Sequence, residues 1–298
     1  MALAFQRLRL QALAIRAHNV FAAADIDHLL IKGPTTADWL YEPPRSFCDV
    51  DVLIPRTQLS KAVRALEEHG VASADLQDFG EGALHAHTLV ASDGSQLDVH
   101  VSLPMVPIDR RDPDRTWRVV SPHATRFEVP GSEGLPALDE AGRCLTLALH
   151  HASRRLAQST EDLRRAVAMA DPMSWQVAKS LAGDLGVTEV VEVALADING
   201  HEIPATVTLT GRLAVRSLSV GSQGPRSRIL VLRTAPCREV PRLLFREAFP
   251  SRRFLALTGW PTDTPMKVLR SHAARWLRIL RCLISERGRW ASRHTGAP

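Results

Sequence analysis

The sequence predicts an α+β fold: a small mixed β-sheet core flanked by helices, followed by a mainly α-helical C-terminal domain. Two patterns carry this reading. Up to about residue 130, short runs alternating apolar and polar residues are interleaved with segments whose apolar positions recur every three to four residues; beyond residue 136 the second pattern dominates. A third observation bounds the class. At 298 residues and 45% apolar composition the chain can bury a sizeable core, yet no stretch approaches the roughly 20 uninterrupted apolar residues of a membrane span. The expected organisation is an N-terminal amphipathic helix over 1–24, a sheet-based core over 25–130, and a helical domain with a basic tail over 131–298.

In chain order, residues 1–20 are broken by Arg7, Arg9 and Arg16 and lack a continuous apolar segment or small-residue cleavage site, so the expectation is a helix and a cytoplasmic protein. Residues 27–31 (DHLLI) predict a strand, 34–41 a short helix, and 49–54 (DVDVLI) an alternating strand entering the core. A helix follows over 56–69, with Gly70 placed to stop it. Residues 85–91 and 96–103 predict an antiparallel hairpin around Ser92-Asp93-Gly94-Ser95. The Pro-, Asp- and Arg-rich stretch 104–136 predicts an irregular connector with short strands near 117–120 and 125–129. Helices are expected over 137–157, 159–170, 174–184 and 188–198, and again over 238–248 and 265–286. Residues 203–218 mix β-branched alternation with helical surroundings and stay open.

Cys48, Cys144, Cys237 and Cys282 form no Cys-x-x-Cys pair and fit reduced thiols. Charge is unevenly spread. From Pro225 onward there are 16 Lys or Arg against 4 Asp or Glu, a balance of +12, which leaves −7 for the rest of the formal +5. A basic surface of that kind suits an anionic partner, and a solvated arginine-rich helix accounts for it equally well.

The residues that carry chemistry lie in the acidic part. In Asp49-Val50-Asp51 the carboxylates are two residues apart on a strand, so both share one face while Val50, Val52 and Ile54 take the other. Two like charges held together are costly unless a cation lies between them, and Mg²⁺ prefers carboxylate oxygen. Asp98-Val99-His100 repeats the pattern on a second strand; adjacent strands would bring three acids together. Three acids suit two-metal phosphoryl transfer, with Asp49 and Asp51 bridging two Mg²⁺ ions and Asp98 completing the ion that activates the acceptor. Upstream, Lys32-Gly33-Pro34-Thr35-Thr36 runs from strand to helix, and backbone N–H groups, Lys32 and the Thr35 or Thr36 hydroxyls there suit the β- and γ-phosphates of an NTP.

The order Lys32-Gly33, Tyr41, Arg45, Asp49-x-Asp51, a helix, then Asp98-x-His100 resembles the uncharacterised nucleotidyltransferases of the polymerase-β-like superfamily. There the pattern is Lys-Gly, Tyr, Arg, Asp-Ile-Asp and Glu-x-His, so Asp98 stands for the more frequent Glu, and Pro34 and Cys48 replace smaller residues. More loosely, residues 145–152 (LTLALHHA) and Ala248-Phe249-Pro250-Ser251 are similar to later motifs of those proteins. The resemblance implies a nucleotidyltransferase core with catalytic and metal-binding Asp49, Asp51 and Asp98, and nucleotide contacts from Lys32, Gly33, Thr35, Thr36, Arg45 and His100. It also implies Mg²⁺, an NTP substrate and an unidentified acceptor: an RNA end, a protein, a peptide or a small molecule.

Other roles stay open at this level. Arg45 either binds phosphate or braces its loop, and His100 either touches ligand or is structural. Of His150 and His151, adjacent on a helix, only one can face the core. His85 and His87 share a strand face without a third clustered ligand, a weak zinc signal. Rival functions are kinase-like transfer of the γ-phosphate, a non-catalytic nucleotide-binding protein, and a nucleic-acid binder led by the basic tail.

Overall fold

The computed structural model describes residues 2–74, 85–109, 111–130, 132–153, 157–220, 264–274 and 276–277. The chain divides into two compact units, Met1–Asp75 with Ala83–Thr234, and Leu76–Gly82 with Ala235–Pro298. In the second unit 265–274 and 276–277 are helical, within the helix expected over 265–286; the helix expected over 238–248 lies outside the described residues. No helix among the described residues is long and apolar enough to cross a membrane.

The first unit is built on a seven-stranded mixed sheet. Its elements are α1 (Ala2–Ala23), β1 (Leu29–Leu30), α2 (Pro34–Leu40), β2 (Asp49–Leu53), α3 (Leu59–Glu68), β3 (Ser73–Ala74), β4 (Ala86–Val90) and β5 (Gln96–His100). They continue with α4 (Arg115–Val120), β6 (Ala124–Phe127), β7 (Leu135–Leu138), α5 (Glu140–Ser153), α6 (Ala157–Met169), α7 (Pro172–Leu185), α8 (Thr188–Asn199) and α9 (Leu209–Val220). The spatial strand order is β3-β4-β5-β2-β1-β7-β6. β2 runs parallel to β5 and antiparallel to β1, and β7 runs parallel to β1. The expected hairpin is present: β4 and β5 pair antiparallel around Gly94, whose φ of 81° the turn requires.

Both sheet faces carry packed apolar residues. Val50, Val52, Leu97 and Val99 pack with Leu10, Leu13 and Phe21 of α1 and Leu59, Ala62 and Leu66 of α3. On the other face Leu29, Leu53 and Leu138 join Cys144, Leu145, Ala148 and Leu149 of α5 and the helices behind it. At about 25 cal/mol per Å² of apolar area removed from water, these two layers are the main favourable term in folding.

Three segments depart from the pattern-based expectation. Residues 117–120 were expected as a strand and lie in helix α4, because Thr116 and Val120, one turn apart, both bury, and the Thr116 hydroxyl meets that of Ser102 at 3.0 Å. The helix expected from residue 137 begins at Glu140, since the short apolar run before it inserts as β7 beside β1. The open stretch 203–218 resolves into an irregular lead and helix α9. Glu189 accepts from the backbone N–H groups of Val207 and Thr208, and the Thr208 hydroxyl accepts from Gly211 N–H, so the helix start outweighs the β-branched bias.

Candidate metal and nucleotide site

The register of β2 against β5 decides the geometry. Asp51 is the direct partner of Asp98, and Leu53 of His100. Paired residues of neighbouring strands project to the same side, so Asp49, Asp51, Asp98 and His100 share one face. Along β2 this face grades from fully buried Leu53 through buried Asp51 to half-buried Asp49, so the acids stand at the open end of an apolar floor. Ligand atoms of Asp51, Asp98 and His100 all lie within 4.8 Å of one another. Asp49 is one pleat nearer the edge and outside that group.

Hydrogen bonds hold these carboxylates in place. His100 Nε2 donates to Asp51 Oδ1 at 2.9 Å, and the Thr88 hydroxyl of β4 donates to Asp98 Oδ1 at 2.6 Å. Asp51 Oδ2 is buried with no hydrogen-bond partner, as is His100 Nδ1. Lys32 Nζ stands 3.8 Å from Asp51 Oδ2, an ion pair too long for a hydrogen bond. Lys32 Nζ also donates to His150 Nε2 at 3.4 Å. Of the two adjacent histidines, His150 therefore reaches the site, while His151 is buried against Asp197 at 2.9 Å.

The two acids of β2 titrate in opposite directions. Burial and the negative charge of Asp51 push Asp49 up to about 6, against the pull of Lys32. Burial would also raise Asp51, but the Lys32 charge, the His100 hydrogen bond and the charges of His100 and His150 hold it well below the usual carboxylate range. At neutral pH both are ionised, one comfortably and one at a cost.

The turn that precedes them depends on its glycine. Gly33 has φ 73° and ψ −114°, and a Cβ there would lie 2.9 Å from the Asp49 carbonyl oxygen. Lack of a side chain lets the turn lie directly on the backbone of β2. Pro34 opens α2, where a missing N–H is no loss. Thr35 and Thr36 are both buried; the Thr35 hydroxyl donates weakly to the Lys32 carbonyl at 3.5 Å, and the Thr36 hydroxyl has no partner.

Arg45 is not brought to the acids. It forks onto buried Asp162 of α6, with Nε at 3.2 Å from Oδ1 and Nη2 at 2.7 Å from Oδ2. Tyr41 donates to the same carboxylate at 2.6 Å, and Gln158 at 2.9 Å. The loop between α2 and β2 is thereby tied to the helical layer. Burial and the bond to Asp162 push the Tyr41 phenol up to about 12. Sequence patterns did not single out Asp162, and only weakly indicated His150; helical periodicity marks an inward face without showing what that face will meet.

With this geometry in view, residues 2–198 match the family described as uncharacterised nucleotidyltransferase. The chain belongs to that family. Its activity class is accordingly nucleotidyl transfer. Among solved structures, the chain is similar to the solution structure of the antibiotic-resistance factor ANT(2'')-Ia, at 10% identity over 60% of this chain and 94% of that one, TM-score 0.40. It is also similar to the crystal structure of an antigenic nucleotidyltransferase-like protein from Paracoccidioides brasiliensis, at 16% identity over 67% of this chain and 94% of that one, TM-score 0.38. No curated protein matches the chain.

Proposed function

We propose that this nucleotidyltransferase is magnesium-dependent and moves a nucleoside monophosphate from an NTP such as ATP to a hydroxyl or phosphate of an acceptor. The acceptor class is an RNA end, a protein, a peptide or a small molecule. One observation carries the reading: Asp51 and Asp98 are register partners on parallel strands, with Asp49 on the same face. The residues fit a divalent cation, because carboxylates are hard oxygen donors, ligand atoms of Asp51, Asp98 and His100 lie within 4.8 Å of one another, and one buried Asp51 oxygen lacks a hydrogen bond. Two bound Mg²⁺ ions would neutralise the triphosphate and acidify the acceptor hydroxyl.

The roles of the side chains follow from their positions. Asp49, Asp51 and Asp98 would hold the metal, and His100 fixes the Asp51 carboxylate through its Nε2–H. The Thr88 hydroxyl steadies the Asp98 carboxylate through Oδ1, and that carboxylate would take the acceptor proton as the acceptor oxygen attacks the α-phosphorus and pyrophosphate departs. Lys32, the backbone of Gly33, Thr35 and Thr36 receive the β- and γ-phosphates, with Lys32 also balancing Asp51. Arg45 serves through the loop it ties to Asp162.

Incubation with each α-labelled NTP and candidate acceptors, alongside γ-labelled ATP, tests this. The α-label is expected to transfer, and Asp49→Asn and Asp51→Asn each to slow transfer by about a hundredfold or more, since loss of a metal carboxylate removes several kcal/mol of transition-state stabilisation. Unchanged labelling in both variants, or transfer of the γ-label alone, would defeat the assignment.

A further inference from the structure

Arg143 lies on α5 seven residues before His150, so the two side chains leave the same flank of the helix about 10 Å apart. Its guanidinium is half-buried over the Trp39 ring, 4.7 Å from the centroid, and donates to the Thr35 carbonyl at 3.4 Å. Nε is closed off from solvent and has no hydrogen-bond partner. A guanidinium presents five N–H donors in a planar fork, and among the described residues one long bond to a neutral oxygen is the hydrogen bond it makes beside its stacking on Trp39.

Two other partly buried arginines of this unit are treated differently. Arg45 is matched by Asp162 and Arg7 by Asp38, each with a bond of 2.7–2.8 Å. Arg143 makes no ion pair among the described residues. The two acids beside it in sequence are engaged elsewhere. Asp139 accepts from the Gly142 N–H with one oxygen and holds His123 with the other, and Glu140 accepts from the Asp171 N–H. Burial lowers the proton affinity of Arg143, with Glu140 and Asp139 only partly opposing. A cation kept half-buried without an anion lies beside Thr35, on the turn whose first residue is Lys32 next to the metal-site acids.

We propose that Arg143 binds a phosphate group of the reaction's ligands through its donor fork. The proposal rests on the nucleotidyl-transfer reading of the site and adds a residue to it. The phosphate has two possible sources, the polyphosphate tail of the nucleotide or a phosphate on the acceptor.

Calorimetric titration of the wild type, Arg143→Met and Arg143→Lys with ATP, tripolyphosphate, inorganic phosphate and Mg²⁺ alone tests it. Charge-assisted bonds to a phosphate lead us to expect about tenfold to hundredfold weaker binding in Arg143→Met, a smaller loss in Arg143→Lys, and unchanged Mg²⁺ affinity. Loss confined to ATP and tripolyphosphate assigns the nucleotide tail, and loss confined to inorganic phosphate assigns the acceptor. Equal affinities of wild type and Arg143→Met for all phosphates overturn the proposal while ATP binding leaves the nucleotidyl-transfer reading standing. A parallel loss of Mg²⁺ binding overturns it too, as general damage to the site. A wild type that binds none of the phosphates overturns both. Should the Met variant fail to fold, Arg143→Lys decides alone, because an ammonium keeps the charge and loses the fork.

Discussion

Replacing Asp49 with Asn is expected to stabilise the metal-free protein at neutral and alkaline pH while removing its response to Mg²⁺. The reasoning starts from the carboxyl pushed from 3.8 to about 6 by burial and by Asp51. A folded-state value above the unfolded one means that the native state binds the proton more tightly. Stability from this group is therefore full below about pH 4 and is lost as the pH rises through about 6. At about 1.4 kcal/mol per tenfold change in proton affinity, the ionised form costs at most about 3 kcal/mol above pH 7. Asparagine keeps the shape and drops the charge, so Asp49→Asn should recover about 1–3 kcal/mol at pH 8 and almost nothing at pH 4. For a unit of this size that is a rise in Tm of several degrees. Asp51→Asn should behave oppositely. Its carboxylate is held low by Lys32 and His100, so stability from it is present above the unfolded value and lost as the pH falls below it; removing the charge at pH 8 destabilises. Thermal unfolding of the wild type and both variants, in EDTA and in 5–10 mM Mg²⁺ (roughly millimolar sites respond over such a range), reads all of this. A drop in Tm for Asp49→Asn in EDTA at pH 8, or equal Mg²⁺-induced shifts in wild type and variant, would refute the account of these acids as a strained cation site.

Three further outcomes test the surroundings. Gly33→Ala places a methyl group 2.9 Å from the Asp49 carbonyl in a backbone region that L-residues avoid, and denaturant unfolding should show a loss of about 1–3 kcal/mol together with a fall in transfer activity; a neutral variant would mean that the turn does not rest on β2. Tyr41 is the sole tyrosine of the sequence, so absorbance at 295 nm follows it alone. With its phenol pushed up to about 12, little tyrosinate should appear in the native protein at pH 11, whereas urea-unfolded chain at that pH ionises, and early native titration would contradict the bond to Asp162. Cys144 is fully buried with its thiol raised to about 12, while Cys48 is exposed beside Asp49. Peptide mapping after iodoacetamide treatment at pH 8 should find Cys48 modified and Cys144 protected until denaturant is added, and the reverse order would place α5 wrongly.

What the sequence conveyed and what it withheld divide along the range of the interactions. That Asp49 and Asp51 share a face follows from strand geometry, which is local, and so does the hairpin that turns at Gly94. The turn at Gly33 was legible because few residues tolerate its backbone. Pairing of Asp51 with Asp98 was expected only on condition that the strands be neighbours, since register is set by contacts 47 residues apart in sequence. Arg45 illustrates the harder case. Its position before the acid pair was compatible with a phosphate or with a brace, and the carboxylate it bonds, Asp162, lies 117 residues away on a helix face that periodicity marks only as inward. The strand β7 escaped notice because four residues including Pro136 have no period to display, and their pairing with β1 is again non-local.

These long-range contacts bear on how an acid cluster survives in a core. Asp51 lies among buried groups, and the groups that offset its cost come from three elements: Lys32 after β1, His100 on β5 and His150 on α5. None of the three would compensate alone, because charge burial is costly and a single pair in a low dielectric recovers only part of it. The helical layer is thus part of the site's electrostatics as well as its support: α5 brings His150 to Lys32, and α6 brings Asp162 to the loop that enters β2. Compensation stops short of Asp49, whose charge remains costly, and of Asp51 Oδ2, whose hydrogen-bonding capacity remains unused. Full compensation would have left a stable polar knot with no affinity for a cation. The residual imbalance is what a divalent ion would relieve, so the same term that weakens the metal-free fold would appear as binding energy for the metal.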